Sequence, residues 1–571
     1  MSMKKYIIIT LILISSLFVC GGKAQAYTPP IGIPDPGTWG ATHPIDGVAT
    51  STATKCPNWP ASATAGCYYI DNTNASSTDV SNNYGYPNKP RLTLPDNNYS
   101  AGVYMELHGG PYATNMNISF VCTAQNPCWF RGTPGDMPIF TNTIRFRDST
   151  YLFIENLEFN GGENGCIDVY GDVSNHVLVR NNKFKNRIWT SNTAAVGITP
   201  NQNGLVNDVV VYNNEFSELG DWDATSTDPD FHGVNPDTYG RTPPTELRNV
   251  WILNNSFYHI SGNGVQVNAN SAAMTDYLHH IYVGKNVGHA LRQAAFWSKQ
   301  ANHVIMSQNI AYDNRLHGSQ EGNGMGYQYL PDNLWLIFNE IYDSSNGIRQ
   351  SDSQTDLTHN SYIIGNKIYN IHPEGNETYN PANFFRPGQA IALWQGGMNR
   401  HIIDNTIDDV HGGIMINYEG PVDISGNIIS NIYSSDYHVS NNNARAVTTL
   451  SNNLFYDQAG NIRFNWAGAY TSLASFMSGT GKCSGCITGN PFYVDGANRD
   501  YHISASSTAI DASGANDVYD TFFSLYGIDI EKDFDDNQRI SGAGVDMGAF
   551  EYVDGGADIT PPNIPTGVSV F

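Results

Sequence analysis

Val179-Arg-Asn-Asn182-Lys-Phe184, Val211-Tyr-Asn-Asn214-Glu-Phe216 and Leu253-Asn-Asn255-Ser-Phe257 spell one short pattern: an apolar residue, a bend through asparagine, a polar residue and a second apolar one. It recurs at Ile337-Phe-Asn339-Glu-Ile341, Ile364-Gly-Asn366-Lys-Ile368, Ile403-Asp-Asn405-Thr-Ile407, Ile424-Ser-Gly-Asn427-Ile-Ile429 and Leu450-Ser-Asn-Asn453-Leu-Phe455, with Asn286 and Asn309 filling the gaps. Successive asparagines lie 22 to 41 residues apart, the spacing of a supersecondary unit with loop insertions. A second motif follows in most units: His232-Gly-Val234, Asn263-Gly-Val265, Asn323-Gly-Met325, Asn346-Gly-Ile348, Gln389-Ala-Ile391 and Gly412-Gly-Ile414.

Apolar and polar residues alternate over short stretches, and no long stretch has helical periodicity. Each unit therefore reads as a coil of short strands. Stacking coils builds parallel sheets in which equivalent residues form ladders. Asparagine suits a ladder at a bend because it tolerates left-handed backbone and its amide can bond the coils above and below. The predicted fold is all-β: a single-stranded right-handed parallel β-helix, a solenoid with an N-terminal cap and a C-terminal β segment.

On these repeats the chain resembles the pectate-lyase-like superfamily of secreted β-helix proteins over roughly residues 100 to 500. That resemblance implies an architecture and a carbohydrate-active role, but not one reaction, because the superfamily spans lyases, hydrolases, epimerases and phage tailspikes. Pectate and pectin lyase signatures are missing. So is the polygalacturonase set of paired aspartates, Gly-His-Gly and Arg-Ile-Lys.

Composition narrows the class further. Lys and Arg number 29 against 53 Asp and Glu, a formal net charge of -24, which is the wrong sign for a nucleic-acid binder. With 12% aromatic and 40% hydrophobic residues, the chain is not a disordered acidic protein. Lys4-Lys5, the apolar run Tyr6 to Val19 and Ala24-Gln-Ala26 read as a signal peptide over 1–26, which predicts a secreted or periplasmic protein. Cys20 offers a lipoprotein alternative, against which stands the bulky Val19. No later run is long and apolar enough to span a membrane. The remaining boundaries fall at an N-terminal cap 27–100, the β-helix 101–490, a closing segment 491–553 ending Val545-Asp-Met-Gly-Ala-Phe-Glu-Tyr552, and a linker-like tail 554–571. A monomer is expected.

In an exported protein the close pairs Cys56/Cys67, Cys122/Cys128 and Cys483/Cys486 read as disulfides. For the Cys483-Ser-Gly-Cys486 pair, half a zinc site or a redox motif is the alternative. Cys166 is left over, as a small buried side chain.

Aligning the second motif places Asn235, Gln266 and Arg349 in one outward column, and Asp237, Asn268, Gln328 and Trp394 in another. In Ala294-Ala-Phe296-Trp297-Ser298-Lys299 either Phe296 or Trp297 can point outward; inward Phe296 would put Trp297 and Lys299 on the shared face. Amides and tryptophans there suit hydrogen bonding and stacking to sugars, so Asn235, Tyr239, Arg241, Gln266, Trp297, Gln328 and Trp394 are the candidate substrate contacts of an extracellular polysaccharide. For any one of them alone, solvated polar surface is the better account. Three long turns (218–231, 313–322 and 370–388) bring charge to one edge, including Asp228, Asp230, His317, Glu321 and Arg386.

Three classes stay open. Alginate lyases and dermatan-cleaving chondroitinases of this fold use a lysine and an arginine near calcium. By that resemblance, Lys299 and Arg349, with His232 and His317, would act in β-elimination on a uronate polymer, and Asp237, Asn268 and Glu321 would hold Ca2+. Lys299 and Arg349 lie two coils apart, roughly 10 Å at ~5 Å per parallel strand. Hydrolysis would use paired carboxyls drawn from Asp228, Asp230, Asp237 and Glu321. Glycan binding without turnover needs neither.

Overall fold

The structure, a computed structural model, describes residues 27–553 except 41, 47–51, 189–190, 224–229, 270, 318–320, 352–354, 375–386, 395–396, 418–419, 434–435 and 442–447. Residues 1–26, read above as a signal peptide, the tail 554–571, Asp228 and Arg386 lie outside the described residues.

The chain is a right-handed parallel β-helix. Each coil lays down three strands in order, as in Phe231–Pro236, Glu246–Leu253 and Ser256–Ile260, followed one coil on by Val265–Asn268, Leu278–Gly284 and Val287–Leu291. Each strand pairs in parallel with its counterpart in the next coil, which gives three long sheets. Here they are called first, second and third in the order the coil visits them. Among the described residues no helix is long and apolar enough to cross a membrane.

The asparagine ladder sits at the bend between the second and third sheets. Asn214 Nδ2 donates to Asn255 Oδ1 at 2.9 Å and to the Val179 carbonyl at 3.0 Å, and its backbone N–H donates to the same Asn255 Oδ1 at 2.9 Å. Repeated from Asn182 to Asn453, this satisfies buried amides that would otherwise each be costly. The left-handed residue is not the ladder asparagine but the one before it: Asn181, Asn213, Asn254, Lys285, Gln308, Phe338, Asp404 and Asn452 all have φ between 49° and 56°. The preceding residue turns the chain, which leaves the ladder asparagine free to point its amide inward.

The small residue of the second motif has an equally local cause. A Cβ on Gly233 would stand 2.6 Å from the Phe257 ring, one on Gly324 2.3 Å from Ile341, and one on Gly413 3.1 Å from Ile429. The inward column of the third sheet, which includes the stack Phe159, Phe184, Phe216 and Phe257 at 4.7–5.3 Å, fills the space that a side chain there would need. The same complementarity resolves the ambiguous coil. Gly288 leaves room in the third sheet at that level for Ala295, Phe296 turns into the core beside Phe257, and Trp297 and Lys299 point outward.

Terminal segments cover the second sheet. Residues 27–46 run along its outer face, where the Trp251 indole donates to Pro34 O (2.8 Å), Ser307 Oγ donates to Ile31 O (2.7 Å) and Trp39 meets Phe153. The helix Val518–Tyr526 lies on the same face, with Phe522 edge-on to Trp335 at 4.7 Å. At Gly32 (φ 77°) the three layers meet so closely that a Cβ would stand 2.9–3.1 Å from Ile337, Phe522 and Ile530. A sheet buried on both faces explains runs such as Leu334-Trp-Leu-Ile337. The three disulfides form, and Cys166 is free and buried.

Candidate functional site

On the outer face of the first sheet, polar side chains gather in ladders. The parallel register places Asn235, Gln266, Trp297, Gly326 and Arg349 in one column and Asp237, Asn268, Lys299, Gln328, Ser351 and Trp394 in the next. His232, Asn263, Asn323, Asn346 and Gln389, which open the Gly-containing motifs, form a third column. The columns arise because strand residues alternate faces while the coil period holds register.

This face is largely enclosed: His232 is fully buried, Gln266 2% exposed and Trp297 6% exposed. His232 Nδ1 accepts the Asn263 backbone N–H at 2.9 Å, which leaves the proton on Nε2. Burial, and then the positive charge of Lys299, push the His232 pKa down to about 3, so the ring is neutral. Its Nε2 is buried with no hydrogen-bond partner, as are Oδ1 of Asn235, Asn263, Asn268 and Asn323. Each such atom costs about 1–3 kcal/mol. Four unmatched acceptors and one donor on one face are the composition of a surface built for hydroxyl-bearing ligands.

Lys299 stands among them. Among the described residues no hydrogen bond or ion pair engages its amine, and burial lowers its pKa against the opposing pull of Asp230 and Asp237. Both of those carboxyls are pushed up by burial, Asp237 to about 6, with Lys299 acting to lower each. Asp230 is further held by Arg292, Nη2 to Oδ1 3.0 Å. Asp237 Oδ1 accepts the Tyr239 backbone N–H, while the Tyr239 side chain is 61% exposed. Arg241 contributes positive charge near Asp237 and donates from Nε to Pro200 O at 2.8 Å.

The remaining candidates do not join this group. Arg349 lies two coils beyond Lys299 in the neighbouring column, separated by Gly326, and pairs with Glu321. Glu321 therefore belongs with Arg349 and Asn323, not with Asp237 and Asn268. His317 sits on its turn, 3.1 Å from Asp223 and beside Trp222. Gln328 neighbours Lys299, Gln266 accepts from Asn263 Nδ2 (3.0 Å), and Trp394 packs with Ala392 and Met415. The Trp297 ring lies over Gly326, where a Cβ would come within 2.6 Å of Cζ3. Neither tryptophan offers a bare face.

The donor set does not fit calcium, which takes about six to eight oxygens and favours several carboxylates. With Glu321 paired elsewhere, Asp237 has only the Asn235 and Asn268 amides beside it, and the Lys299 amine adds positive charge. Among the described residues no group of three or more His, Cys, Asp or Glu is placed to hold a metal ion. Sequence reasoning placed Asn263, Asn323 and Asn346 in a repeat motif and did not single them out as candidate site residues. The signal was present in their polar identity beside an obligatory glycine.

No protein-family model matches the chain, and no curated protein matches it. Among solved structures it is similar to a mannuronic-acid-specific polysaccharide family 6 lyase from the human gut microbiota, at 12% identity and TM-score 0.39, covering 70% of this chain and 88% of that one. It is also similar to a PL6-family polysaccharide lyase from Pseudopedobacter saltans (14%, TM-score 0.31, 73% and 95%). A third is the GH136 lacto-N-biosidase from Eubacterium ramulus (12%, TM-score 0.29, 69% and 64%). These likenesses assign no residue a role.

Proposed function

We propose that the protein is an exported carbohydrate-active β-helix that cleaves a uronate-containing polysaccharide by β-elimination at the outer face of the first sheet. The observation that carries this reading is the unpaired, partly desolvated amine of Lys299 amid buried, unpartnered amide oxygens and the His232 Nε2–H. Amide oxygens accept sugar hydroxyls. In its neutral form, which burial favours, the Lys299 amine takes the proton alpha to the uronate carboxyl. The C–H electrons form the new C=C bond, the glycosidic oxygen at the β-carbon leaves and takes a proton from solvent, and His232 Nε2–H donates to the oxygen that gains charge. Arg349, two coils away, meets a neighbouring sugar unit and not the reacting one.

A second reading, hydrolysis, has its own support: Asp230 and Asp237 both carry raised pKa values and both act on Lys299. Asp237, pushed up to about 6, suits the acid, and Asp230, held by Arg292, would be the partner that stays ionised. Incubating the mature protein with uronate and neutral polysaccharides, while following ultraviolet absorbance and reducing ends together, separates the two. Absorbance that rises with reducing ends and vanishes in Lys299→Met supports elimination. Reducing ends without absorbance, lost in Asp237→Asn, refute elimination and establish hydrolysis.

A further inference from the structure

The second sheet carries a cavity that the first-sheet site does not use. It has a volume of about 350 Å³ and opens between the sheet's outer face and the start of the helix Val518–Tyr526, with Tyr362, His401, Asp423, Asn516, Asp517 and Thr521 on its walls. That size is at the lower end for small-molecule sites. On the sheet side, a ladder of rings sets the wall. Trp335 stacks on Tyr362 at 3.6 Å, and Tyr362 on His401 at 4.9 Å and 10°, so the imidazole is held rigidly at the cavity's edge. His401 Nδ1 is buried with no partner, and burial keeps the ring neutral by lowering its pKa. One rung on, burial raises the Asp423 pKa, with the nearby Asn516 side chain acting to lower it; Asn516 Nδ2 donates to Ser425 Oγ at 3.1 Å.

The lining decides the ligand class. Two carboxyls, Asp423 and Asp517, repel an anion, and the polar walls disfavour an apolar molecule. The Thr521 hydroxyl, whose own proton goes to the Asp517 carbonyl (2.9 Å), accepts, while the second amide hydrogen of Asn516 and the neutral imidazole add a donor and a further polar group. We propose that this cavity is a second carbohydrate site, taking one or two units of a neutral sugar through hydroxyls donated to Asp423. Its role, holding a polymer on a face other than the one that cleaves it, rests on the reading of the first sheet as a polysaccharide-acting surface. Its existence does not.

The test is binding, with no turnover needed. Saturation-transfer NMR with D-glucose, D-galactose and D-mannose, and calorimetry with calcium chloride, are run on the mature protein and on Asp423→Asn, Thr521→Arg and Lys299→Ala. Thr521→Arg fills the cavity mouth from an exposed helix turn, so it tests the site even if Asp423→Asn disturbs packing; unchanged thermal midpoints check the fold. The expected result is binding of at least one hexose that weakens about tenfold or more in Asp423→Asn and Thr521→Arg and persists in Lys299→Ala. Binding of no hexose, binding unaffected by Thr521→Arg, binding lost only in Lys299→Ala, or heat from calcium alone would each overturn the proposal. A protein that binds hexose here and cleaves nothing would sink the elimination reading and leave this one standing.

Discussion

Replacing Asn309 with alanine removes one rung from the middle of the ladder, and the cost can be worked bond by bond. Its Oδ1 accepts the Asn286 backbone N–H at 3.1 Å and the Asn286 amide at 3.0 Å; its Nδ2 donates to Val283 O at 2.9 Å and Asn339 Oδ1 at 3.0 Å. In Asn309→Ala, Asn339 Oδ1 keeps the backbone N–H of residue 309 and the other Asn286 amide hydrogen keeps Ile252 O. Two buried donors of Asn286 are left stranded, at about 1–3 kcal/mol each, so the loss is about 2–6 kcal/mol. Asn182, at the N-terminal end, accepts from Leu157 N alone (3.0 Å), so Asn182→Ala strands one donor and costs about 1–3 kcal/mol. Both positions are 1% exposed, so water rescues neither. Urea titration followed by far-ultraviolet circular dichroism compares the two variants with the parent protein. Equal losses, or an Asn309→Ala loss below about 1 kcal/mol, would show that the ladder is not held by the bonds that define it. Asn309→Asp is a further control. It keeps both acceptors but turns a carboxylate oxygen toward Val283 O and Asn339 Oδ1, so it is expected to destabilise most above the carboxyl's unfolded pKa and to recover in acid.

Three further outcomes are expected. Lys299→Met lowers the cleavage rate by about 10²–10⁴-fold, the usual worth of a general base, while leaving the thermal midpoint unchanged or higher, because a desolvated, unpartnered amine is gone; full activity in this variant would remove Lys299 from the mechanism. Gly326→Ala places a Cβ 1.9 Å from the Arg349 carbonyl and 2.6 Å from the Trp297 ring, so a loss of about 1–3 kcal/mol and a shift in Trp297 fluorescence follow, whereas a neutral result would show that the column has slack. His438 has its pKa pushed down to about 4 by burial, with Nδ1 accepting the Arg463 N–H and Nε2 donating to Tyr456 O. The unfolded imidazole binds its proton first, near pH 6.5, so His438 makes stability fall with pH from there toward 4, by roughly 3 kcal/mol. His438→Gln, compared with the parent at each pH, should flatten that part of the profile, and an unchanged slope would refute the assignment.

The fold was legible because a solenoid writes its architecture into local repeats. The ladder asparagines and the small residues of the second motif each answer to a neighbour one coil away at the same register, so a single chain read against itself reveals the period. The three cysteine pairs were legible for a similar reason, since their partners are 3 to 11 residues apart. Even the outward columns follow from alternation alone. Alternation could not choose between Phe296 and Trp297, because the choice depends on the space left by Gly288 in a different sheet.

What only tertiary structure decided is which side chains meet. Glu321 and Arg349 pair because Glu321 lies beside the strand Asn346–Ser351, and this removes both from the neighbourhood of Lys299. The terminal segments take the second sheet's outer face, a consequence of chain ends crossing many coils that no local pattern encodes. The His232 tautomer, the unpaired Lys299 amine and the raised carboxyls beside it likewise depend on burial and on charges from separate coils. Repetition along one dimension fixes the scaffold; enclosure in three dimensions decides its chemistry.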